Sequence, residues 1–248
     1  MNVFKSRKRN CYLVMIPAIL VCMSFAFSNP SSEKVTDNKT VNAVSVTDEK
    51  MSLYEDLNLD SLGLSRKAFA YALAGFKNLL AEGKIQKDNL LSILDFTLPS
   101  GKKRLFVIDL VAEELVFHTY ASHGKNSGKI IPTKFSNKTN SNQSSLGFYV
   151  TGDIYNGKHG ESLRLLGEEK GINDKALQRG IVMHSATYVD EDIIASQGFI
   201  GRSQGCPALP RNISKDIINK IKEGSCLFIY SPDKFYVTHS KMIHDTKA

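Results

Sequence analysis

The chain has 248 residues, 42% of them hydrophobic and 23% charged, with a formal net charge of +7 at neutral pH. That length suits one large domain or two modest ones. Four basic and no acidic residues fall within positions 1–28, which leaves +3 for the remainder, a balance that does not call for nucleic acid as a partner and only weakly favours an anionic polymer.

Lys5, Arg7, Lys8 and Arg9 form a positive N-terminal region, and Cys11 to Phe27 is apolar except at Pro17 and Ser24. Ala26-Phe27-Ser28 has the small-x-small pattern of a cleavage site, so residues 1–28 read as a secretory signal peptide and the product as exported, to the periplasm or cell envelope. The alternative is an uncleaved membrane anchor, but the run falls short of the ~20 apolar residues of a usual span. Residues 29–52 are rich in Ser, Thr, Asn, Asp and Lys and read as a disordered linker.

Residues 53–98 read as a helical segment docked on the main domain. Ser65 suits an N-cap for a helix from Arg66 to about Glu82, with Phe69, Leu73, Phe76 and Leu80 forming one apolar stripe and Gly83 as its stop. A further short helix is expected over Asp88 to Leu94.

Residues 99–248 form the main domain, and the signals there turn to β. Arg104 to Leu110 and Glu114 to Tyr120 read as a hairpin. Leu146 to Thr151, Ser162 to Leu166 and Ile181 to His184 are further strands, with Asn156-Gly157 suited to a tight turn. Residues 122–145, dominated by Ser, Asn, Gly and Lys, make a loop too long for a simple connection, as functional loops often are. Ser214 is placed to cap a helix through Ile217, Ile218 and Ile221, ended by Gly224, and strands over 225–230 and 235–239 close the chain.

The chemistry concentrates in Gly201-Arg202-Ser203-Gln204-Gly205-Cys206-Pro207-Ala208-Leu209-Pro210. Gly205 lets the backbone turn, and Pro207 and Pro210 stiffen the chain beyond the cysteine, so the loop can aim a thiol outward and leave the amides of Gly205 and Cys206 for an oxyanion. A thiol needs a base, and His184 ends an apolar run 22 residues upstream. The competing reading of Cys206 is a disulfide to Cys226, the only other cysteine left once Cys11 and Cys22 depart. Cys226 lies in the apolar run Ser225 to Tyr230, where a cysteine packs as a small hydrophobe. His118 and His123 lack the spacing and companions of a zinc site, so no metal is expected. Ser122-His123-Gly124 reads instead as a loop bordering a site. No G-x-S-x-G elbow, Walker loop or dinucleotide fingerprint occurs.

The ordered set Ser122-His123-Gly124, Ser145-Leu146-Gly147-Phe148-Tyr149, Gly157-Lys158-His159-Gly160, Val182-Met183-His184 and Gly201 to Pro210 resembles the YkuD-type L,D-transpeptidases, in the branch of murein L,D-transpeptidase catalytic domains. The likeness covers roughly residues 101–231. Three points depart from the commoner pattern: Gln204 precedes Gly205 where His is usual, Ala208 stands two after the cysteine where Arg or Asn is usual, and the His-to-Cys spacer is long. The resemblance implies a mainly β, sandwich- or barrel-like catalytic domain acting on peptidoglycan stem peptides without a cofactor. It further implies Cys206 as nucleophile, His184 as base and the Ser185 carbonyl as orienter of the imidazole. Gly205, Ser203, Arg202, His123 and Gly124 are the expected oxyanion and substrate contacts. An L,D-carboxypeptidase, a non-catalytic wall-binding module and an exported cysteine endopeptidase are the competing functions.

Overall fold

A computed structural model describes residues 50–244 except His159, so the expected signal segment, most of the expected linker and one residue of the Gly157 to Gly160 motif lie outside the described residues. A short helix α1 over residues 50–56 leads to α2 (Arg66–Ala81). Ser65 caps α2 as expected, its hydroxyl accepting from the Ala68 amide at 3.3 Å, and Gly83 follows the end in a left-handed turn. The stripe is shifted from the expected one: Phe69, Leu73 and Phe76 are buried, but Leu79 takes the fourth place and Leu80 is 42% exposed.

The strands are β1 (Leu90–Asp95), β2 (Leu105–Asp109), β3 (Glu114–Thr119), β4 (Gly147–Gly157), β5 (Gly160–Gly167), β6 (Val182–Ser185), β7 (Ala208–Leu209) and β8 (Cys226–Tyr230). They form one sheet in the order β3-β2-β1-β8-β4-β5-β6-β7. Pairing is antiparallel except at β1–β8 and β6–β7. The sheet curls until its ends meet just past β3, where the Ser122 amide donates to the Ala208 carbonyl at 2.8 Å and the Ala208 amide to the Ser122 hydroxyl at 3.1 Å. The mainly β, barrel-like expectation therefore holds.

β1 corrects the short helix expected over Asp88 to Leu94, and with it the boundary that put residues 53–98 outside the sheet. Leu90–Asp95 is buried at all six positions between β2 and β8. A continuous apolar run carries no period that separates a core strand from a buried helix, and only its neighbours decide. The sheet's central register, Ile93 opposite Phe106 on one side and Phe228 on the other, draws the run into extended form.

α2 packs on this sheet through Gly75. A Cβ built there would lie 2.0 Å from Phe148 Cζ, so glycine alone lets the helix sit against that ring, which stacks on Phe228 at 4.2 Å. Asp95 fastens the helix start to β1, accepting from the Ser65 amide at 2.9 Å and from Thr97. The hairpin of β4 and β5 closes with Gly157 opposite Gly160, two residues beyond the expected Asn156-Gly157 turn.

Two more helices flank the last strands: α3 (Glu191–Gln197) and α4 (Ser214–Ile221). Ser214 is the first residue of α4 rather than its cap, and its hydroxyl turns to the Arg211 carbonyl. The strand expected over 235–239 is instead α5 (Lys234–His239). The aromatic and β-branched residues there favour strand, but such preferences span only ~1 kcal/mol and yield to context. Here Asp233 caps the helix at the Tyr236 amide, and the Tyr236 hydroxyl reaches buried Glu169 at 3.1 Å.

Candidate active site

β6 and β7 run parallel with His184 opposite Ala208 and Ser185 opposite Leu209. That register brings Cys206, two residues before β7, alongside Val182. The Val182 amide donates to Cys206 Sγ at 3.4 Å, and the thiol donates in turn to the Gly180 carbonyl at 3.5 Å. Neither cysteine is in a disulfide: Cys226 is wholly buried in β8, and Cys206 is half-buried. The bridged reading of Cys206 is thereby corrected.

His184 is 4% exposed, and its Nδ1 meets the Ser185 carbonyl at 2.8 Å. A carbonyl only accepts, so Nδ1 carries the proton and Nε2 of the neutral ring keeps its lone pair. Cys206 and His184 line one cavity of about 410 Å³, together with Lys158, Arg179, Tyr188 and Arg202. Burial pushes the Cys206 thiol up, while the Val182 amide, Arg179 and Lys158 pull the other way; the net shift is upward. A resting protonated thiol fits that balance.

Ser203 is a staple of the cysteine loop. Its hydroxyl donates to the Cys206 carbonyl at 2.6 Å and accepts from the Gly205 amide at 3.0 Å. The Gly205 amide is therefore committed, which corrects its expected place in an oxyanion hole. The Cys206 amide has no partner among the described residues. Gly205 itself has φ +128, and a Cβ there would fall 2.8 Å from the Gln143 carbonyl oxygen. The loop thus turns where only glycine fits.

His123 and Gly124 do not border the cavity, contrary to expectation. His123 is fully buried, with Arg104 Nη2 donating to its Nδ1 at 2.8 Å and its Nε2 donating to the Gly128 carbonyl at 3.1 Å. Arg104, also fully buried, spends its other donors on the Ala121 and Leu98 carbonyls and lies 4.8 Å from the Phe96 ring centre. Burial, then the Arg104 charge, pulls His123 down to about 4, so the ring is neutral at physiological pH. The pair supports the cysteine loop from beneath. The His123 carbonyl accepts from the Ser203 amide at 2.9 Å, and Gly124 forms a parallel bridge to Ser203.

The long loop of residues 122–145 walls the cavity through Asn140 and Asn142, as its length suggested. Arg179 fastens it, donating to the Ser136 carbonyl (2.7 Å), the Gln143 carbonyl (2.6 Å), Ser141 Oγ (3.2 Å) and the Ser145 hydroxyl. Sequence reading missed Arg179, Tyr188 and Arg104. Arg179 precedes Gly180 at the mouth of the His184 strand, and position alone hints at it. Arg104 heads an apolar run, where a cation ordinarily marks the strand's exposed end.

A family model described as L,D-transpeptidase catalytic domain matches residues 60–230. No curated protein matches. Among solved structures, an L,D-transpeptidase from Mycobacterium smegmatis is similar at 16% identity, covering 58% of this chain and 59% of that one with a TM-score of 0.36. An L,D-transpeptidase from Mycobacterium tuberculosis H37Rv is similar at 14% identity, 58% of each chain and 0.37. The helical cell shape determining protein of Campylobacter jejuni is similar at 14% identity, 65% of this chain, 57% of that one and 0.38. The chain thus spans less than two thirds of the length of these structures.

Proposed function

Since the chain belongs to the family of L,D-transpeptidase catalytic domains, we propose that it is an exported cysteine acyltransferase that cross-links peptidoglycan stem peptides through a thioester on Cys206. The observation that carries this reading is the shared cavity of Cys206 and His184, with the imidazole proton fixed on Nδ1 by the Ser185 carbonyl.

Nε2 of His184 takes the thiol proton as Sγ bonds to the carbonyl carbon of the stem's diamino acid. Because burial favours the neutral thiol, general-base removal during attack is favoured over a standing ion pair. The Cys206 amide supports the tetrahedral oxyanion, an effect of ~3 kcal/mol for one such donor. The carbon–nitrogen bond to the terminal D-alanine then breaks, and the leaving amine receives the proton from His184. An amine of a second stem attacks the thioester, transfers its proton to His184 and restores the thiol.

The test is incubation of purified protein with tetrapeptide muropeptides, with intact-mass analysis of the trapped acyl form. Cross-linked dimers and a stem adduct mapped to Cys206, both absent in Cys206→Ala, are the expected result. Tripeptide alone would reassign the enzyme as an L,D-carboxypeptidase. An unimpaired Cys206→Ala protein would end the nucleophile assignment.

A further inference from the structure

Three loops meet on one face of the protein: residues 99–103, 124–134 and 198–202. The Ser100 amide donates to the Ile130 carbonyl at 2.9 Å, and the Lys129 ammonium lies 5.5 Å from the centre of the Phe199 ring. A Cβ built on Gly101 would fall 2.4 Å from the Gly198 carbonyl oxygen, and Arg202 reaches the Gly128 carbonyl at 3.4 Å. At the tip of the second loop Ile130 and Ile131 are 42% and 45% exposed. Their backbone is tied down. The Thr133 and Lys134 amides both donate to the Ser127 carbonyl, at 2.8 and 3.0 Å, and Ser100 holds Ile130 from the neighbouring loop. Gly128 lets this turn close, since a Cβ there would fall 2.4 Å from the Ile131 carbonyl oxygen. The two isoleucines are therefore presented outward by a fastened turn. On the side of the first loop a hollow of about 580 Å³ between Leu62, Leu98, Pro99 and Lys102 continues the apolar surface.

The three loops carry Lys102, Lys103, Lys125, Lys129, Lys134 and Arg202, all exposed, and no carboxylate; no acidic residue occurs anywhere between Glu114 and Asp153. Among the described residues none of the six cations forms an ion pair. Single exposed hydrophobic residues are ordinary, but two consecutive ones pinned outward among unpaired cations mark a contact surface. A soluble polyanion would satisfy the cations and offer the isoleucines nothing. A bilayer with anionic headgroups supplies both an acyl layer and phosphates. We propose that this face docks on an anionic lipid surface, with Ile130 and Ile131 inserted beneath the headgroups and the surrounding cations on the phosphates. Lys125 and Arg202 also line the cavity of Cys206, so docking sets the edge of that cavity at the headgroups. The proposal stands independently of the acyl-transfer reading.

Residues 38–248 form a compact unit by themselves, so the experiment uses the chain without residues 1–28, the form expected after export. Its use also removes the apolar run of Cys11 to Phe27, which would bind lipid unaided. Sedimentation is measured with vesicles containing phosphatidylglycerol and with vesicles of phosphatidylcholine alone. Binding to the anionic vesicles is expected to be at least roughly tenfold tighter at low salt, a ratio that shrinks with added salt. The double variants Ile130→Ser/Ile131→Ser and Lys129→Gln/Lys134→Gln should each weaken it by roughly tenfold with unchanged unfolding midpoints. Val111→Ser, at a residue 74% exposed beyond the opposite end of β2, should change nothing. The chain has no tryptophan, so Ile131→Trp supplies a sole indole whose emission should shift to the blue on anionic vesicles and be quenched by brominated lipid. Absence of vesicle binding, an unquenched indole, or binding indifferent to the isoleucine substitutions overturns the proposal. Equally tight binding of a soluble polyanion that survives those substitutions would reassign the face to polyanions.

Discussion

His123→Asn tests the buried pair beneath the cysteine loop through its dependence on pH. In the folded chain the His123 ring titrates at about 4, against 6.5 for a free imidazole. The folded value is depressed, so the unfolded chain takes up the proton first. The stabilisation is fully present above about pH 6.5 and is lost as pH falls toward about 4. At 1.36 kcal/mol per pKa unit, the separation amounts to about 3 kcal/mol. Its physical source is first the burial of the ring and then the cost of a second cation against Arg104, with Arg202 adding to the same field. Asparagine keeps an acceptor for Arg104 but cannot titrate. It loses the bond to the Gly128 carbonyl and the ring contact with Phe96, at a cost of about 1–3 kcal/mol at neutral pH. Denaturant unfolding of both proteins from about pH 7 to about pH 4 gives the difference directly. Buried Asp95 and Glu169 are raised by burial and act in the opposite sense, but they are common to both proteins and cancel. The unaltered protein should lose about 3 kcal/mol more than the variant over that range. Parallel pH curves would refute the argument, because they would mean that the ring is solvated or already charged.

Two further substitutions probe the scaffold. Gly75→Ala gains helix propensity of about 1 kcal/mol but drives a methyl into the Phe148 ring, a net destabilisation of about 1–3 kcal/mol that thermal or denaturant unfolding will register. A variant as stable as the original would mean that α2 does not pack as described. Gly205→Ala places a side chain at a left-handed position against the Gln143 carbonyl, with strain of about 1–3 kcal/mol. Alkylation of Cys206 and acyl-enzyme formation should slow while the far-ultraviolet spectrum stays the same; unchanged alkylation would show that the loop tolerates the methyl.

The runs at Arg104 to Leu110, Glu114 to Tyr120 and 225–230 were legible because continuous or alternating apolar residues fix both their conformation and their burial. Leu90 to Asp95 was not, since the same pattern serves a buried helix and a core strand, and one of its two neighbours in the sheet, β8, lies more than 100 residues away. Residues 235–239 misled because strand-favouring side chains there are used to dock a helix on Glu169. In the site, the placing of Cys206 in a turn and His184 at a strand end followed from local order, whereas the Ser185 carbonyl came only with the family resemblance. His123 could not, because its partner Arg104 is assigned by tertiary packing alone. The same limit applies to the Gly205 amide, whose capture by Ser203 depends on the loop's curl.

β7 has two residues, the fewest of any strand, and it joins the two ends of the curled sheet. Few ladder bonds make this joint the cheapest place for the barrel to breathe. Cys206 rides immediately ahead of it, and His184 sits on the stave alongside. Cys206 and His184 both lie on the β6–β7 side of that joint, so parting it would leave sulfur and imidazole together on the freed edge while the remaining staves stayed zipped.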